Sequence, residues 1–428
     1  MVWARAPTRP MISMPKTAAP RRAPSLRILF VVSMIDVLGF GVLIPLVPYM
    51  AHRFGAGPVL ITTILGSYSL CQLLAAPVWG RLSDRYGRRP ILMSSLTGAC
   101  LSYVILGLAN SLWMLLAARM LAGFMAGNLA AAFAYASDVS TPAMRAKSMG
   151  TVGAAIGLGF MLGIPMGGIL AGDHAQTANF LRPAVASAVL SLVALALVKF
   201  LLPESRVRQP GQERAEDGTL AAPTAQARGP LTVLRQRPRL VFIASAALLV
   251  TTAQGILESI FALWALNRFG AGPRTVSLAL FGAALVAVIM QGGLVRVLVP
   301  RMGESRLAQA GILSYVVGLL LVGLAGNSLM AAAFGMLFCG AGMGAFSPSA
   351  SALASRQSHG GNRGAVMGIY QSATSLARVI GPFVAGPVYA LWGANSPFLA
   401  AAAITAPAAL LIWRSQGSGS QDAESATT

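Results

Sequence analysis

Charged side chains are scarce in this sequence of 428 residues. They make up 10% of the chain, while 56% of its residues are hydrophobic. A soluble globular protein carries about 25% charged residues. A water-soluble fold of this length would therefore lack polar surface. The composition excludes an ordinary soluble protein and indicates that a lipid bilayer is the solvent.

Lysine, histidine and cysteine are also rare. The lysines are Lys16, Lys147 and Lys199, and none follows a glycine, so the chain has no P-loop and is not expected to be an ATP-driven pump. The three histidines are scattered, which predicts no metal site. The three cysteines all lie in apolar runs and are interpreted as small hydrophobic residues rather than a disulfide set. No nucleophile–base arrangement of an enzyme is present, and no cofactor is predicted.

Acidic residues are outnumbered by basic ones. There are 12 Asp and Glu against 32 Lys and Arg, which gives a net charge of +20. Such an excess can indicate nucleic-acid binding. The arginines are clustered between apolar stretches, however, and the positive-inside rule of membrane proteins explains this arrangement better. We therefore predict a lipid bilayer, and no nucleic acid, as partner.

Long apolar stretches dominate the sequence. A helix needs about 20 apolar residues to cross the hydrocarbon core, and twelve stretches reach that length. The first follows basic residues, as a signal peptide does, but it is too long, contains Asp36 and has no cleavage site, so we predict that it is retained. The stretches lie near residues 27–49, 59–79, 91–110, 112–137, 147–171, 181–202, 239–264, 275–298, 306–325, 329–354, 364–391 and 395–413.

A polar segment divides the stretches into two sets of six. Its richness in Pro, Gly, Ala and charge predicts a flexible linker. The arginine-rich loops place both termini in the cytoplasm of a cell with an inner membrane. The predicted fold is all-α and membrane-embedded, with a cytoplasmic segment 1–26, a six-helix bundle 27–202, a cytoplasmic linker 203–238, a second six-helix bundle 239–413 and a disordered tail 414–428.

The most distinctive motif is a short polar loop between the second and third stretches. Residues 80–90 read Gly-Arg-Leu-Ser-Asp-Arg-Tyr-Gly-Arg-Arg-Pro. The glycines permit a tight turn, and the single carboxylate can pair with its guanidinium neighbours. The run resembles the loop signature of the major facilitator superfamily of secondary transporters. In that family the loop latches the two halves together and helps to close the cytoplasmic side. The resemblance implies this role for Gly80, Asp84, Arg85, Gly87, Arg88 and Arg89.

The two halves repeat. Residues 53–58 and residues 268–273 both read Arg-Phe-Gly-Ala-Gly-Pro, after the first and seventh stretches. Residues 300–303 fall where a second copy of the polar loop is expected, although no acid there matches Asp84. Two pseudo-symmetric six-helix bundles with a site between them are a known transporter design.

Asp36 is the most informative single residue. A carboxylate near the middle of a span costs about 2.5–3.5 kcal/mol on insertion scales, so such residues face a cavity or a partner and often move protons. Gly39, Gly41, Pro45 and Pro48 follow it. This spacing resembles the first helix of the tetracycline-efflux branch of proton-driven drug antiporters. The alternative is a structural Asp held by a polar neighbour.

Three further charged residues lie within apolar stretches, namely Arg119, Glu258 and Arg378. Arg119 precedes Gly123 as in the family's Arg-x3-Gly signature, whose Arg is implicated in proton coupling. We therefore predict that Asp36 and Arg119 couple protons, and we expect the pairs Asp36–Arg119 and Glu258–Arg378 to neutralise each other. A structural ion pair is the alternative for Glu258 and Arg378. The predicted substrate-binding residues are Phe40, Gln254, Glu258, Phe261, Tyr370, Gln371 and Arg378.

The fifth stretch is rich in glycine. Small residues at helical spacing permit close helix packing. The run resembles the antiporter signature of exporters in the family, except that Ile164 separates a Gly from the Pro that usually follows it directly. The residues predicted to pack in this way are Gly159, Gly163, Pro165, Gly167 and Gly168.

The resemblance to the tetracycline-efflux branch covers nearly the whole chain. It departs in the third stretch, where Ser102 replaces the acid that precedes a Tyr, and in the ninth, which has no acid. It implies a proton antiporter, expected to be a monomer, that exports small amphipathic compounds. Aromatic residues in the spans attract cations, and Asp36 and Glu258 add negative charge, so we expect cationic or neutral substrates. A proton-coupled uptake symporter is the first alternative. A membrane sensor or scaffold is the second, but such a protein gains nothing from charges inside the membrane.

Overall fold

The computed structural model describes residues 22–141, 144–205, 237–358 and 363–417. The predicted N-terminal segment up to residue 21, linker residues 206–236 and the tail from residue 418 lie outside this part of the chain. Within it, twelve helical stretches are long and apolar enough to span a membrane. The predicted all-α architecture of twelve spans is confirmed.

We number the spans 1 to 12 along the chain. The helices of spans 1 to 6 are Arg22–Leu43 with Val47–Arg53, Pro58–Tyr86, Arg88–Gly107, Leu112–Met125 with Leu129–Asp138, Arg145–Ala171, and Leu181–Leu201. Those of spans 7 to 12 are Pro238–Phe269, Pro273–Ile289 with Val295–Met302, Glu304–Gly323, Leu329–Arg356, Arg363–Trp392, and Ser396–Gly417. A 3₁₀ turn, Ala126–Asn128, joins the helices of span 4, and a π-helix, Met290–Leu294, joins those of span 8.

The sequence repeat is also a structural repeat. Spans 2 and 8 each begin with a proline in the first turn, where its missing N–H leaves no hydrogen bond unmade. Gly55 and Gly270, which precede them, have φ of 77° and 64°, a region that favours glycine. The arginine that opens each repeat donates to backbone carbonyls of another connection: Arg53 to three in residues 175–178, and Arg268 to Gly326.

The two halves of the molecule meet at the end opposite the polar loop, which we call the far end. There Tyr49 Oη donates to Ala271 O at 2.8 Å, and Arg274 Nη1 lies 3.0 Å from Asp173 Oδ1. Gly168 of span 5 lies against Ser277 of span 8, so closely that a side chain at this glycine would overlap it. Spans 2 and 11 are equally close, because a side chain at Gly386 would overlap Thr62. The far end is therefore closed.

The end that carries the polar loop, which we call the basic end, is open between the halves. A Cβ atom added at Gly80, Gly150, Gly292 or Gly368 would meet no atom within 4 Å. Among the described residues, the ion pairs of this end, formed by Arg88 in one half and by Arg356 in the other, each join groups of the same half. The space between the halves is therefore reachable from the basic end.

Candidate functional site

A cluster of one arginine and three aromatic rings lies in the N-terminal half. We call it the aromatic–arginine cluster: Phe40 (span 1), Tyr68 (span 2), Arg119 (span 4) and Phe160 (span 5). The guanidinium of Arg119 lies 4.8 Å from the ring centroid of Tyr68 and 5.6 Å from that of Phe40. The Phe40 and Tyr68 rings stack at 4.5 Å, and Phe160 meets Phe40 edge-on at 5.7 Å. Cation–π attraction and ring stacking hold these four spans together.

Glycine explains why span 4 reaches Tyr68. A side chain at Gly123 would overlap the backbone of Tyr68. Gly123 lies one helical turn after Arg119, so its close approach places the guanidinium over the Tyr68 ring. The Arg-x3-Gly spacing noted in the sequence thus has a geometric reason. Arg119 is only 4% exposed, and its Nε has no hydrogen-bond partner among the described residues.

Asp36 lies beside this cluster. It is partly buried on span 1, one turn before Phe40, so both side chains share a helix face. It is within electrostatic range of Tyr68 and Tyr103. The structure thus brings Asp36 and the arginine-bearing cluster into one region. Mutual neutralisation of Asp36 and Arg119 stays a prediction.

The glycines of span 5 hold span 1 in place. Gly159, Gly163 and Gly167 each lie so close to the backbone of span 1, between Met34 and Val42, that a side chain would overlap it. Gly168 faces span 8 instead, and Pro165 lies inside the continuous helix. Four of the five residues predicted from the antiporter-like run therefore lie at close helix contacts. Three of those contacts support the span that carries Asp36.

A second group of polar residues lines a cavity of ≈ 110 Å³ in the C-terminal half. Four predicted substrate-binding residues lie there: Gln254, Tyr370, Gln371 and Arg378. Glu258 adjoins them, because its Oε1 accepts a hydrogen bond from Gln254 Nε2 at 2.8 Å. The remaining lining residues are Thr251, Met343, Phe346, Ser347 and Thr374.

Phe261 is placed elsewhere. It lies on span 7 with Gln254 and Glu258, but it is only 2% exposed and its ring packs 5.9 Å from that of Trp264. Trp264 in turn packs on Phe269 and Phe398. Phe261 therefore belongs to the packed core of this half, outside the lining of the cavity.

Tyr68 connects the two groups of polar residues. It is within electrostatic range of Asp36 and Arg119 in its own half and of Arg378 in the other. Sequence reasoning did not select Tyr68. The available signal is a polar run, Gly66-Ser-Tyr-Ser69, inside an apolar span. Such a run becomes informative only when the packing of span 2 against spans 4 and 11 is known.

The polar loop at the basic end forms a network within the N-terminal half. Arg88 lies 2.8 Å from Asp84 and 3.1 Å from Asp138 at the end of span 4. Glu204, which sequence reasoning also missed, accepts hydrogen bonds from the backbone N–H groups of Arg88 and Arg89 at 2.9 and 3.1 Å. It caps the positive N-terminus of span 3. The chain that leaves span 6 is thereby fixed to the loop.

On the resemblance noted in the sequence, we expect Asp84→Asn to slow transport without weakening substrate binding. Asp84 is 64% exposed and pairs with Arg88 one turn away, and such surface pairs contribute only ~0–1 kcal/mol. The folded, basic-end-open structure should therefore tolerate the change. A closed basic end, where Asp84 would meet the other half, should not. Initial transport rates and equilibrium binding in proteoliposomes, with Asp84→Glu as control, check this. A normal rate, or a loss of affinity alone, would contradict it.

Comparison with known proteins gives concordant matches. A family model described as the Major Facilitator Superfamily matches residues 29–307 and 243–426. The class B tetracycline resistance protein of Escherichia coli is 28% identical over 368 residues, which cover 85% of this chain and 88% of that protein. The class C protein of Escherichia coli is 30% identical, with coverage of 83% and 87%.

A solved structure is similar in fold. It is that of a bacterial homologue of the human lysosomal transporter Spinster in an inward-facing and unoccupied conformation. It superposes with a TM-score of 0.73 at 16% sequence identity, over 93% of this chain and 97% of that chain. This similarity concerns the fold. The family model and the two relatives extend across both halves and confirm the resemblance noted in the sequence.

Proposed function

This chain belongs to the major facilitator superfamily, and on that premise we propose that it exports small amphipathic compounds in exchange for protons. It is a multi-pass membrane transporter related to drug-efflux proteins. The observation that carries the proposal is Asp36, an acid inside span 1 that lies beside the aromatic–arginine cluster. An acidic side chain inside a membrane span is energetically costly, so its presence at a contact between helices indicates a functional role.

The proposed cycle follows from the geometry. In the basic-end-open state, substrate enters between the halves and Asp36 is accessible to protons from the open space. A change in the protonation of Asp36 changes the net charge beside Arg119 by one. Because spans 1, 2, 4 and 5 meet at this cluster, that change bears on how these spans pack. Closure of the basic end and opening of the far end would then complete the exchange.

The proposed orientation places the basic end and both termini in the cytoplasm. The arginines of the polar loop support this placement by the positive-inside rule. In an inner membrane, the open cavity would then face the cytoplasm, where an exporter takes up its substrate. A single chain supplies both of the halves that flank the space between them, so we propose a monomer.

The proposed substrates are lipophilic compounds such as the drugs for which the relatives are named. The relatives are tetracycline resistance proteins, and the aromatic rings of this chain offer apolar and cation-attracting faces. Few fixed hydrogen bonds in an apolar site allow broad specificity. A panel of drugs identifies the compounds that are transported.

The test is drug susceptibility in an efflux-deficient host with and without this protein. We expect the protein to raise the inhibitory concentration of several amphipathic drugs and to release protons from everted vesicles when such a drug is added. The matched control is the Asp36→Asn variant at the same membrane level. Drug accumulation together with proton entry would instead identify an uptake symporter. No movement of any compound would favour the sensor or scaffold.

We expect Glu258→Gln to reduce resistance to positively charged drugs more than to neutral ones. Glu258 is exposed beside the cavity of the C-terminal half, and its carboxylate can attract a cationic group. Loss of that charge should cost ~2- to 5-fold in inhibitory concentration for cations, as for a partly solvated charge pair. Inhibitory concentrations for matched charged and neutral drugs measure this. Equal losses for both classes would make Glu258 structural.

A further inference from the structure

Arg378 is an exposed guanidinium in the middle of span 11. It forms part of the wall of the ≈ 110 Å³ cavity. Among the described residues, no group lies within hydrogen-bonding or ion-pair distance of its guanidinium. A charge in a membrane span is costly and normally faces a partner or a water-filled cavity. Arg378 faces a cavity, and its five N–H donors are available to a ligand.

The nearby acid, Glu258, forms no ion pair with Arg378 in this structure. Glu258 is within electrostatic range of Arg378, but its carboxylate accepts a hydrogen bond from Gln254, one turn earlier on the same span. The expected Glu258–Arg378 contact is therefore not formed in this conformation. Arg378 is therefore the charged residue in the lining of this cavity, and the Glu258 carboxylate adjoins it.

The other arginine of the site differs in a decisive way. Arg119 is 4% exposed and is covered by the rings of Phe40 and Tyr68. Its charge acts through those rings and is not reachable by a substrate group. Arg378 is exposed and is surrounded by groups that form hydrogen bonds, including Gln371 and Ser347. The reachable cation of the central site is thus Arg378.

We infer that this cavity is a subsite for a carboxylate group on the transported compound. Arg378 binds the two oxygens through its planar fork of N–H donors. The side-chain amide of Gln371 donates a further hydrogen bond, and the apolar body of the compound rests on Phe346 and Met343. The substrates are then amphipathic acids and zwitterions, and the cationic group of a zwitterion can face Glu258 beside the cavity. The inference rests on the proposed export function and narrows its substrate class.

Binding to the purified full-length chain tests the inference without transport. The probes are 1-naphthylacetate, its methyl ester and (1-naphthylmethyl)trimethylammonium, which share one aromatic body and differ in charge. We expect the acid to bind more tightly than the ester. Arg378→Gln should weaken acid binding by ~10- to 100-fold, as for a charge-assisted hydrogen bond, and leave ester binding unchanged. Arg378→Lys should retain part of the affinity for the acid.

Two controls separate a lost subsite from a damaged fold. Arg296→Gln removes an exposed arginine of span 8 that lies outside this cavity, and it should leave all three probes unaffected. Glu258→Gln is a change of the opposite sign: it should strengthen acid binding, because it removes a nearby negative charge. Equal weakening of all three probes by Arg378→Gln, or preferred binding of the cation by the wild type, would overturn the inference. If acid binding behaves as expected but vesicles show no proton-coupled export, the proposed function fails and the subsite stands.

Discussion

Replacing Asp36 with asparagine is expected to abolish export driven by a pH gradient. The amide has nearly the shape of the carboxyl group but cannot take up and release a proton. Transport against a concentration gradient should fall to the level of vesicles without the protein, a loss of ~100-fold or more, within the range for removal of a positioned proton-transfer group. Substrate flux with and without an imposed pH gradient, in reconstituted vesicles, measures the effect.

The same variant should retain exchange that needs no proton. Equilibrium exchange of labelled for unlabelled substrate requires only that the cavity bind and alternate, so Asp36→Asn should still perform it. Asp36→Glu, which keeps the carboxylate, should recover part of the driven transport. Unchanged pH-driven transport in Asp36→Asn would show that Asp36 is a structural residue held by a neighbour. Loss of both driven transport and exchange would point to a damaged helix junction, since Gly159 and Gly163 pack on the same part of span 1.

The membrane spans could be predicted from the sequence because each is an apolar stretch of nearly fixed length. The prediction was weakest where a helix continues into polar sequence. The second stretch was expected near residues 59–79, whereas its helix runs over Pro58–Tyr86 and includes most of the polar loop. Hydrophobicity marks the part of a helix that lies in lipid, not the hydrogen-bonded turns beyond it. The π-helix Met290–Leu294 has no hydrophobicity signal and was not predicted.

The candidate site was predictable where a residue type is improbable in its surroundings. Asp36, Arg119, Glu258 and Arg378 stand out because charge inside a span is rare. Contacts between spans could not be obtained in this way. Helical periodicity groups Phe261 with Glu258 on one face, but it does not tell how deep each lies, and Phe261 is in the core.

Tyr68 and Glu204 show the same limit. Their roles depend on which helix ends and faces meet in three dimensions, as at Gly123 beside Tyr68 and at the N-terminus of span 3 beside Glu204. A single sequence does not show which helix ends and faces contact each other. The chemistry of the site could thus be anticipated, but its assembly from spans of both halves could not.

The glycines of the open basic end predict how that end closes. At the far end, spans 5 and 8 meet at Gly168, and spans 2 and 11 meet at Thr62 and Gly386. Another glycine lies eighteen residues along each of three of these helices. In span 5 it is Gly150, counted from Gly168; in span 2 it is Gly80, counted from Thr62; and in span 11 it is Gly368, counted from Gly386. Eighteen residues are five turns of α-helix, so each of these glycines shares the face that makes the far-end contact. All three have open space where a side chain would be.

We therefore expect leucine at Gly150 and Gly368 to arrest the transporter with its basic end open. A Cβ atom at either position would meet no atom within 4 Å in the present structure, and Gly→Leu in a helix favours folding by up to ~1 kcal/mol. When the basic end closes, each leucine side chain would lie between two helix backbones. Overpacking there costs ~1–3 kcal/mol per site, which for two sites shifts the equilibrium by roughly 30- to 10⁴-fold towards the open state.

The expected result is loss of turnover with normal thermal stability and normal substrate binding from the basic end. Alanine at both positions adds only one carbon atom each and should have a much smaller effect. Gly57→Leu, which lies in open space before span 2 at the far end, is the size-matched control and should transport normally. Transport rate and substrate affinity, both measured in proteoliposomes, distinguish an arrested transporter from one that no longer binds substrate. If the double leucine variant turns over at the wild-type rate, these faces do not meet, and the basic end must close through other parts of spans 2, 5 and 11.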